Sequence, residues 1–261
     1  MVRLASKRPV AYVRGMIRVP FVAATVAALA LAACQQPKAS DPRFGAQVRA
    51  YLLEHPEVIE EAVQKLRANQ MLEQAKAGAS EVSRYRQQLE ADPRDLVVNP
   101  KGRFTVVEFF DYRCGYCKVV APEIVKLIAE NPDVRFVFKE FPIFGEVSDS
   151  AARMALTPQV KAKGFTLHKA WMADRGLDEA ALDRHLSEAG LNPAEVRRAA
   201  ANPAIDAQLR DVRNLATRLG LQGTPAFVVG DYLIPSADIG VVRAALAKVK
   251  GGEIKRLGSP T

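Results

Sequence analysis

The sequence predicts an α/β protein: a small sheet domain carrying a helical insertion, preceded by an N-terminal helical arm. Three observations carry this. The apolar, β-rich run Phe104–Phe110 leads into Cys114-Gly-Tyr-Cys117 and a helix, and Val134–Phe138 follows as a second strand, so the segment reads as a βαβ unit. A block of helix starts and stops then fills about Ser148 to Gly220. Gly223-Thr-Pro225 next opens a strand, a hairpin and a last amphipathic helix.

Composition narrows the class. The chain has 261 residues, 49% hydrophobic and 25% charged, which are globular values and exclude wholesale disorder or a collagen-like fibre. Three cysteines are too few for a disulfide-stapled scaffold. The net charge is +8, but Arg3, Lys7, Arg8, Arg14 and Arg18 lie in residues 1–33, which hold no acid; the remainder carries +3. A mildly basic body without a basic cluster does not call for nucleic acid.

The N-terminal segment reads as an address. Val19 to Pro37 is uncharged, and its core, Phe21 to Ala33, is shorter than the roughly 20 apolar residues a spanning helix needs. Basic residues precede it and small ones end it, as in a secretory signal, with Met1 or Met16 as its start. Leu31-Ala-Ala-Cys34 resembles a lipobox, which implies lipidation of Cys34 and a lipid anchor in a membrane. Gln35 follows the cysteine, so outer-membrane sorting is expected; the alternative is a plain signal and a soluble periplasmic protein.

Residues 34–42 are a polar tether, and 43–92 read as a helical arm. Phe44, Val48, Tyr51 and Leu52 have helical spacing. His55-Pro56 interrupts it, Pro56 suits a first helical position, and Glu57, Glu60 and Glu61 favour a positive helix end. An apolar stripe through Val58, Ile59, Val63, Leu66 and Leu72 could run to about Leu89, with a weak point at Gly78. At 1.5 Å per residue that is about 50 Å, which buries its stripe poorly alone. Self-association into a homo-oligomer is the expectation; folding back on its own domain is the alternative.

The CxxC pair carries the chemistry. Backbone N–H groups and the dipole at a helix start stabilise a thiolate, so Cys114 is the expected nucleophile. Cys117, one turn in, is less exposed and can resolve a mixed disulfide. No cofactor is expected. A zinc site wants four ligands, and beyond Cys34 there is no further cysteine, while His55, His168 and His185 are scattered, so no metal is expected either.

CGYCKVVAP, with Pro122 five residues after Cys117, resembles the thioredoxin-superfamily active site, and EFFDYRCGYCK resembles its DsbA-like branch. Gly223-Thr224-Pro225-Ala-Phe-Val-Val229 is similar to that family's cis-proline loop. The resemblance implies a thioredoxin fold with a helical insertion over 93–251, a redox-active disulfide between Cys114 and Cys117, and a cis bond before Pro225 beside them; residues 252–261 are a tail. It also implies that Glu108, in the strand before the CxxC, is a buried acid assisting Cys117; an outward-facing charge is the alternative. Helix signals at Pro158, Asp178, Asn192-Pro193 and Asn202-Pro203, with a stop at Gly220, match a DsbA-like insertion. Lys139 and Glu140 are expected on a solvated rim, Trp171 in the core, and His168 and His185 on helix surfaces.

Gly115-Tyr116 lacks the histidine of strongly oxidising DsbA, so a less oxidising couple is expected. Gly-Tyr is also the dipeptide of the isomerase DsbC, and YLLEHPEVIEEAVQKL is similar to the oligomerisation arm of the ScsC group. The function implied is thiol-disulfide exchange in exported cysteine-containing proteins, as isomerase or reductase, with a membrane redox partner. A DsbA-type oxidase, a non-catalytic thioredoxin-fold chaperone lipoprotein and a kappa-type glutathione transferase are the alternatives.

Overall fold

The computed structural model describes residues 42–257; the leader, Cys34, the tether as far as residue 41 and residues 258–261 lie outside the described residues. The described chain divides into two compact units, one ending at Glu60 and one beginning at Glu61.

The first unit holds α1 (Pro42–Glu54) and the opening turn of α2 (Glu57–Ala75). The break falls at His55-Pro56, as the pre-proline restriction requires. His55 packs its ring 4.6 Å from that of Tyr51, and its Nδ1 lies 3.2 Å from Glu57 Oε1. Phe44, Val48 and Tyr51, spaced i, i+4, i+7, are all exposed.

In the second unit α2 carries a similar exposed pair, Val63 and Leu66, but Leu72 and Ala75 at its end are buried. A 3-10 turn, Lys76–Gly78, leads to α3 (Ala79–Arg84) and α4 (Arg86–Glu90). Leu72 joins one core cluster, and Val82 and Leu89 join another. Residues 72–90, expected as the far half of a free arm, are therefore part of the folded body. The apolar positions of that stretch found cover on the domain itself, and the helix breaks at Gly78 and Tyr85 let the chain follow its surface.

The sheet has five strands in the order β1-β3-β2-β4-β5: β1 (Leu96–Val98), β2 (Phe104–Phe110), β3 (Val134–Glu140), β4 (Ala226–Val229) and β5 (Tyr232–Ile234). Only β2 and β3 pair in parallel, joined across α5 (Gly115–Glu130). β2 and β3 are buried on both faces, which is why they read as continuous apolar runs. Val106 and Phe110 pack with α5 and α12 (Ile239–Leu257); Val107 and Phe109 pack with Leu89 and α11 (Pro203–Arg218).

That two-sided burial corrects the rim expected at the end of β3. Lys139 and Glu140 are 1% and 5% exposed. Lys139 lies on the Val137 side and pairs with buried Asp95, whose other oxygen takes a hydrogen bond from Gln208. Burial raises the Asp95 pKa to about 6 against the pull of Lys139. Glu140 lies on the opposite side and accepts from the Tyr112 hydroxyl at 3.1 Å.

The insertion comprises α6 (Glu146–Ala155), α7 (Pro158–Ala162), α8 (Phe165–Ala173), α9 (Glu179–Glu188), α10 (Pro193–Ala200) and α11. Thr157, Asp178, Asn192 and Asn202 each cap a helix through a side-chain oxygen, three of them just before a proline. Gly220, φ +70°, ends α11. Between β4 and β5, Gly230 has φ +59°, and a Cβ there would meet Val249 at 2.7 Å. α12 continues past 251 to Leu257, into the stretch expected as a tail.

Candidate redox site

β2 ends at Phe110, and hydrogen bonds to Asp111 shape the turn after it. The carboxylate accepts from Arg113 N at 2.6 Å and Ile143 N at 2.7 Å, and from Ser148 Oγ at 2.8 Å. Cys114 is thereby set as the N-cap of α5, with extended φ −66° and ψ 116°. Its Sγ accepts from Cys117 N at 3.2 Å and lies 3.2 Å from the Thr224 carbonyl oxygen. The Thr224–Pro225 bond is cis and stands beside the sulfur. The two motifs, distant in sequence, thus meet at one atom because β2 and β4 pair antiparallel, Phe109 opposite Ala226.

The two thiols differ sharply. Cys114 has its pKa lowered to about 6, chiefly by a hydrogen bond from the Cys117 side chain, opposed by burial and aided by Thr224 and the backbone N–H groups of Cys117 and Tyr116. Burial pushes Cys117 well above the ordinary thiol range. Near neutral pH Cys114 is a thiolate and Cys117 a thiol. Both are free, so the structure is that of the dithiol.

Glu108 is buried, 4% exposed, one strand position beyond Val107 and on the face shared with Cys117. Burial, reinforced by the charge of Cys114, raises its pKa to about 8, and its Oε2 has no partner. The structure thus places it inward, the first of the two alternatives. With its pKa near 8, the group can take a proton as the carboxylate and return it as the acid.

Sequence reasoning missed a neighbouring group. His168, expected on a helix surface, is 5% exposed and ringed by Phe110, Phe138 and Phe165 at 4.7–4.9 Å. Burial lowers its pKa to about 3, so it is neutral. Its Nδ1 lies 3.3 Å from the Tyr112 hydroxyl, which donates to Glu140; Nδ1 is then the donor. The spacing Phe165, His168, Met172 on one helix face held that signal, and the polarity of histidine masked it. His185 is partly covered and pairs with Asp174 at 2.9 Å. Trp171 is fully buried. Among the described residues no group of three or more His, Cys, Asp and Glu could hold a metal, and no helix is long and apolar enough to cross a membrane.

Residues 105–247 match the DSBA-like thioredoxin domain, and residues 43–71 match the copper resistance protein ScsC N-terminal domain. A thioredoxin-like oxidoreductase from Silicibacter pomeroyi is 38% identical; the match covers 64% of this chain and 98% of that one, with TM-score 0.61. The catalytic domain of Proteus mirabilis ScsC is 25% identical over 65% of this chain and 97% of its own, with TM-score 0.57. A chloroplastic thioredoxin-like protein of Arabidopsis thaliana is 44% identical over 48 residues; that match spans only 18% of the relative. The chain belongs to the DsbA-like family of thioredoxin-fold thiol-disulfide oxidoreductases and carries an ScsC-type N-terminal segment.

Proposed function

We propose that the protein exchanges disulfides in exported proteins through Cys114 and Cys117, as an isomerase or reductase rather than a bulk oxidase. The observation that carries the exchange chemistry is the split of the pair: a stabilised thiolate at the helix start over a buried, protonated thiol. The preference over a bulk oxidase rests on Gly115-Tyr116 and the ScsC-type N-terminal segment. Cys114 attacks a client disulfide, one S–S bond breaks, a client thiolate leaves and a mixed disulfide forms. The mixed disulfide has two exits. Cys117, its proton taken by Glu108, can attack Cys114, releasing reduced client and leaving the Cys114–Cys117 disulfide. Alternatively the client's own thiolate attacks, which reshuffles its disulfides with no net electron transfer. A resolving thiol this hard to ionise lengthens the mixed disulfide's life and favours the second exit. Thr224 and Pro225 present backbone to the client strand.

The exposed faces of α1 and α2 support self-association, which would set several sites around one client. The arm proper is then residues 43–71, and the catalytic domain extends from about 72 to 251. Cys34 is the lipidation site and holds the protein in the periplasm-facing leaflet of a membrane, with a membrane reductant returning Cys114–Cys117 to the dithiol.

Alkylation tests the core of this reading. Iodoacetamide should label Cys114 with a midpoint near pH 6 and leave Cys117 unlabelled below pH 8. Equal labelling of both at mildly acidic pH would remove the assignment. Scrambled-ribonuclease refolding and insulin reduction then separate isomerase, reductase and pure binder. Cys34→Ser should release the protein into the soluble periplasmic fraction with redox activity kept.

A further inference from the structure

A groove of about 650 Å³ runs past Cys114. Its apolar wall is Tyr116, Val119 and Phe144, 71%, 68% and 50% exposed. Its ionisable side chains besides the cysteine and tyrosine are Arg113, Lys118 and Arg175; no acid lines it. Such an exposed apolar wall beside a reactive sulfur is a contact surface for a polypeptide.

The three cations are not equivalent. Lys118 is engaged: its Nζ donates to the carbonyls of Trp171 at 2.8 Å and Asp174 at 2.7 Å, closing the end of α8. Arg113 and Arg175 are exposed, and neither guanidinium has a hydrogen-bond or ion-pair partner among the described residues. Nor do nearby acids neutralise them. Asp111 is buried and takes its hydrogens from Arg113 N, Ile143 N, Phe144 N and Ser148 Oγ. The Asp174 carboxylate is held by Arg184 and His185. The sulfur does not explain them either, since Cys117, Thr224 and the Tyr116 N–H lead the lowering of Cys114. Two uncompensated guanidinium groups therefore face the volume a client must enter.

We infer that the groove selects cysteines lying in acidic client segments that also carry an aromatic or aliphatic side chain, with Arg113 and Arg175 setting the preference. This rests on Cys114 being the attacking thiol. The apolar side chain lies against Tyr116, Val119 and Phe144, while the acidic flank meets the two guanidinium groups. Opposite charge at a groove mouth raises the encounter rate and suppresses basic segments, and both effects weaken with salt. The reaction is the stoichiometric one: protein dithiol plus client disulfide gives protein disulfide plus client dithiol. Cys114 enters as a thiolate, so one proton of the client dithiol comes from Cys117 and the other from solvent; the two electrons come from the protein dithiol, and no other reductant is needed.

The test uses reduced full-length protein and two disulfide peptides of equal length, each with one Phe beside the cysteine, flanked by three Glu or by three Lys. The second-order rate constant for the Glu peptide should exceed that for the Lys peptide about tenfold at low salt. The ratio should fall to within about twofold at roughly 0.5 M salt, where screening acts over only about 4 Å. R113E/R175E should invert the ratio, and R113Q/R175Q should bring it near one. A ratio within one variant cancels any change in thiol reactivity, and circular dichroism checks the fold. Equal, salt-independent rates in the native protein would overturn the acidic preference and leave the redox reading standing. Equal rates together with arginine-dependent capture by phosphatidylglycerol vesicles would overturn it in favour of a lipid surface. No reaction with either peptide would overturn the redox reading and this inference with it.

Discussion

The Cys114 sulfur lies 3.2 Å from the Thr224 carbonyl oxygen, and the Thr224 hydroxyl is buried with no partner of its own in the dithiol. The same residue thus serves both charge states: its carbonyl takes the S–H of the thiol, and its hydroxyl can donate to the thiolate. Thr224→Val keeps the shape and removes the hydroxyl. The Cys114 midpoint should then rise from about 6 by about one unit, since a hydrogen bond to a charged group is worth roughly 1.5–3 kcal/mol and a unit is about 1.4. Thiolate absorbance at 240 nm against pH measures it. An unchanged midpoint would show that the hydroxyl does not reach the sulfur.

Glu108→Gln tests the proton path. The pKa of about 8, raised by burial, means that the carboxylate able to accept the Cys117 proton grows as pH rises through 8. Release of client from a trapped mixed disulfide should follow that rise in the native protein. In the variant it should slow about a hundredfold and lose the inflection. Stability moves the other way. An acid whose folded pKa is raised loses stability as pH climbs from its unfolded value towards 8, so the Gln variant should be the more stable at pH 7. Unchanged release kinetics would reduce Glu108 to a packing residue.

His168 sets a different response to acid. Its folded pKa of about 3 lies below the ordinary 6.5. Below pH 6.5 the unfolded chain takes a proton that the folded chain refuses until near pH 3, so stability falls across that window by about 1.4 kcal/mol per pH unit. His168→Phe keeps a ring among Phe110, Phe138 and Phe165 and leaves Tyr112 bonded to Glu140. The difference in urea stability between native protein and variant should change by about 2 kcal/mol between pH 7 and pH 5. Glu108 and Glu140, whose raised pKa values act in the opposite sense, are common to both proteins and cancel. Parallel pH curves would contradict the neutral, buried histidine.

The arm gives the fourth expectation. Tyr51 and Ile59 are 56% and 51% exposed, and the buried positions begin only at Leu72. Tyr51→Glu with Ile59→Glu, or deletion of residues 43–67, should therefore yield a monomer whose catalytic domain stays folded. That monomer should reduce insulin but lose refolding of scrambled ribonuclease. Light scattering on the native protein decides first: a monomer at micromolar concentration would leave the arm as a spacer.

What could be read from the sequence was what is local. The CxxC lies between a strand and a helix within 27 residues, and four capping residues announce four insertion helices through their own side chains. Strand β1 was not legible, because three partly covered residues carry little period and depend on pairing with β3 for their identity. Lys139, Glu140 and His168 were misplaced for one reason: each polar side chain finds its partner, or the Phe110 and Phe138 rings that cage it, in a distant segment. Glu108 could not be placed until β3 and β4 made β2 an inner strand and helices packed on the face it shares with Val106 and Phe110. The end of the free arm was hidden because Leu66 and Leu72 look alike in sequence and differ only in what covers them.

Asp111 ties three segments together. Its two oxygens receive the amide hydrogens of Arg113, Ile143 and Phe144 and the hydroxyl of Ser148, so one carboxylate joins the CxxC turn, the loop after β3 and the start of α6. Phe144 stands on that loop, exposed but tethered through its own backbone. The conformational entropy of the lip is thus surrendered once, when the chain folds, and not again at each encounter. A lip that holds still in this way meets each client already in its binding shape, so the ordering cost that differs from one client to the next is the client's own.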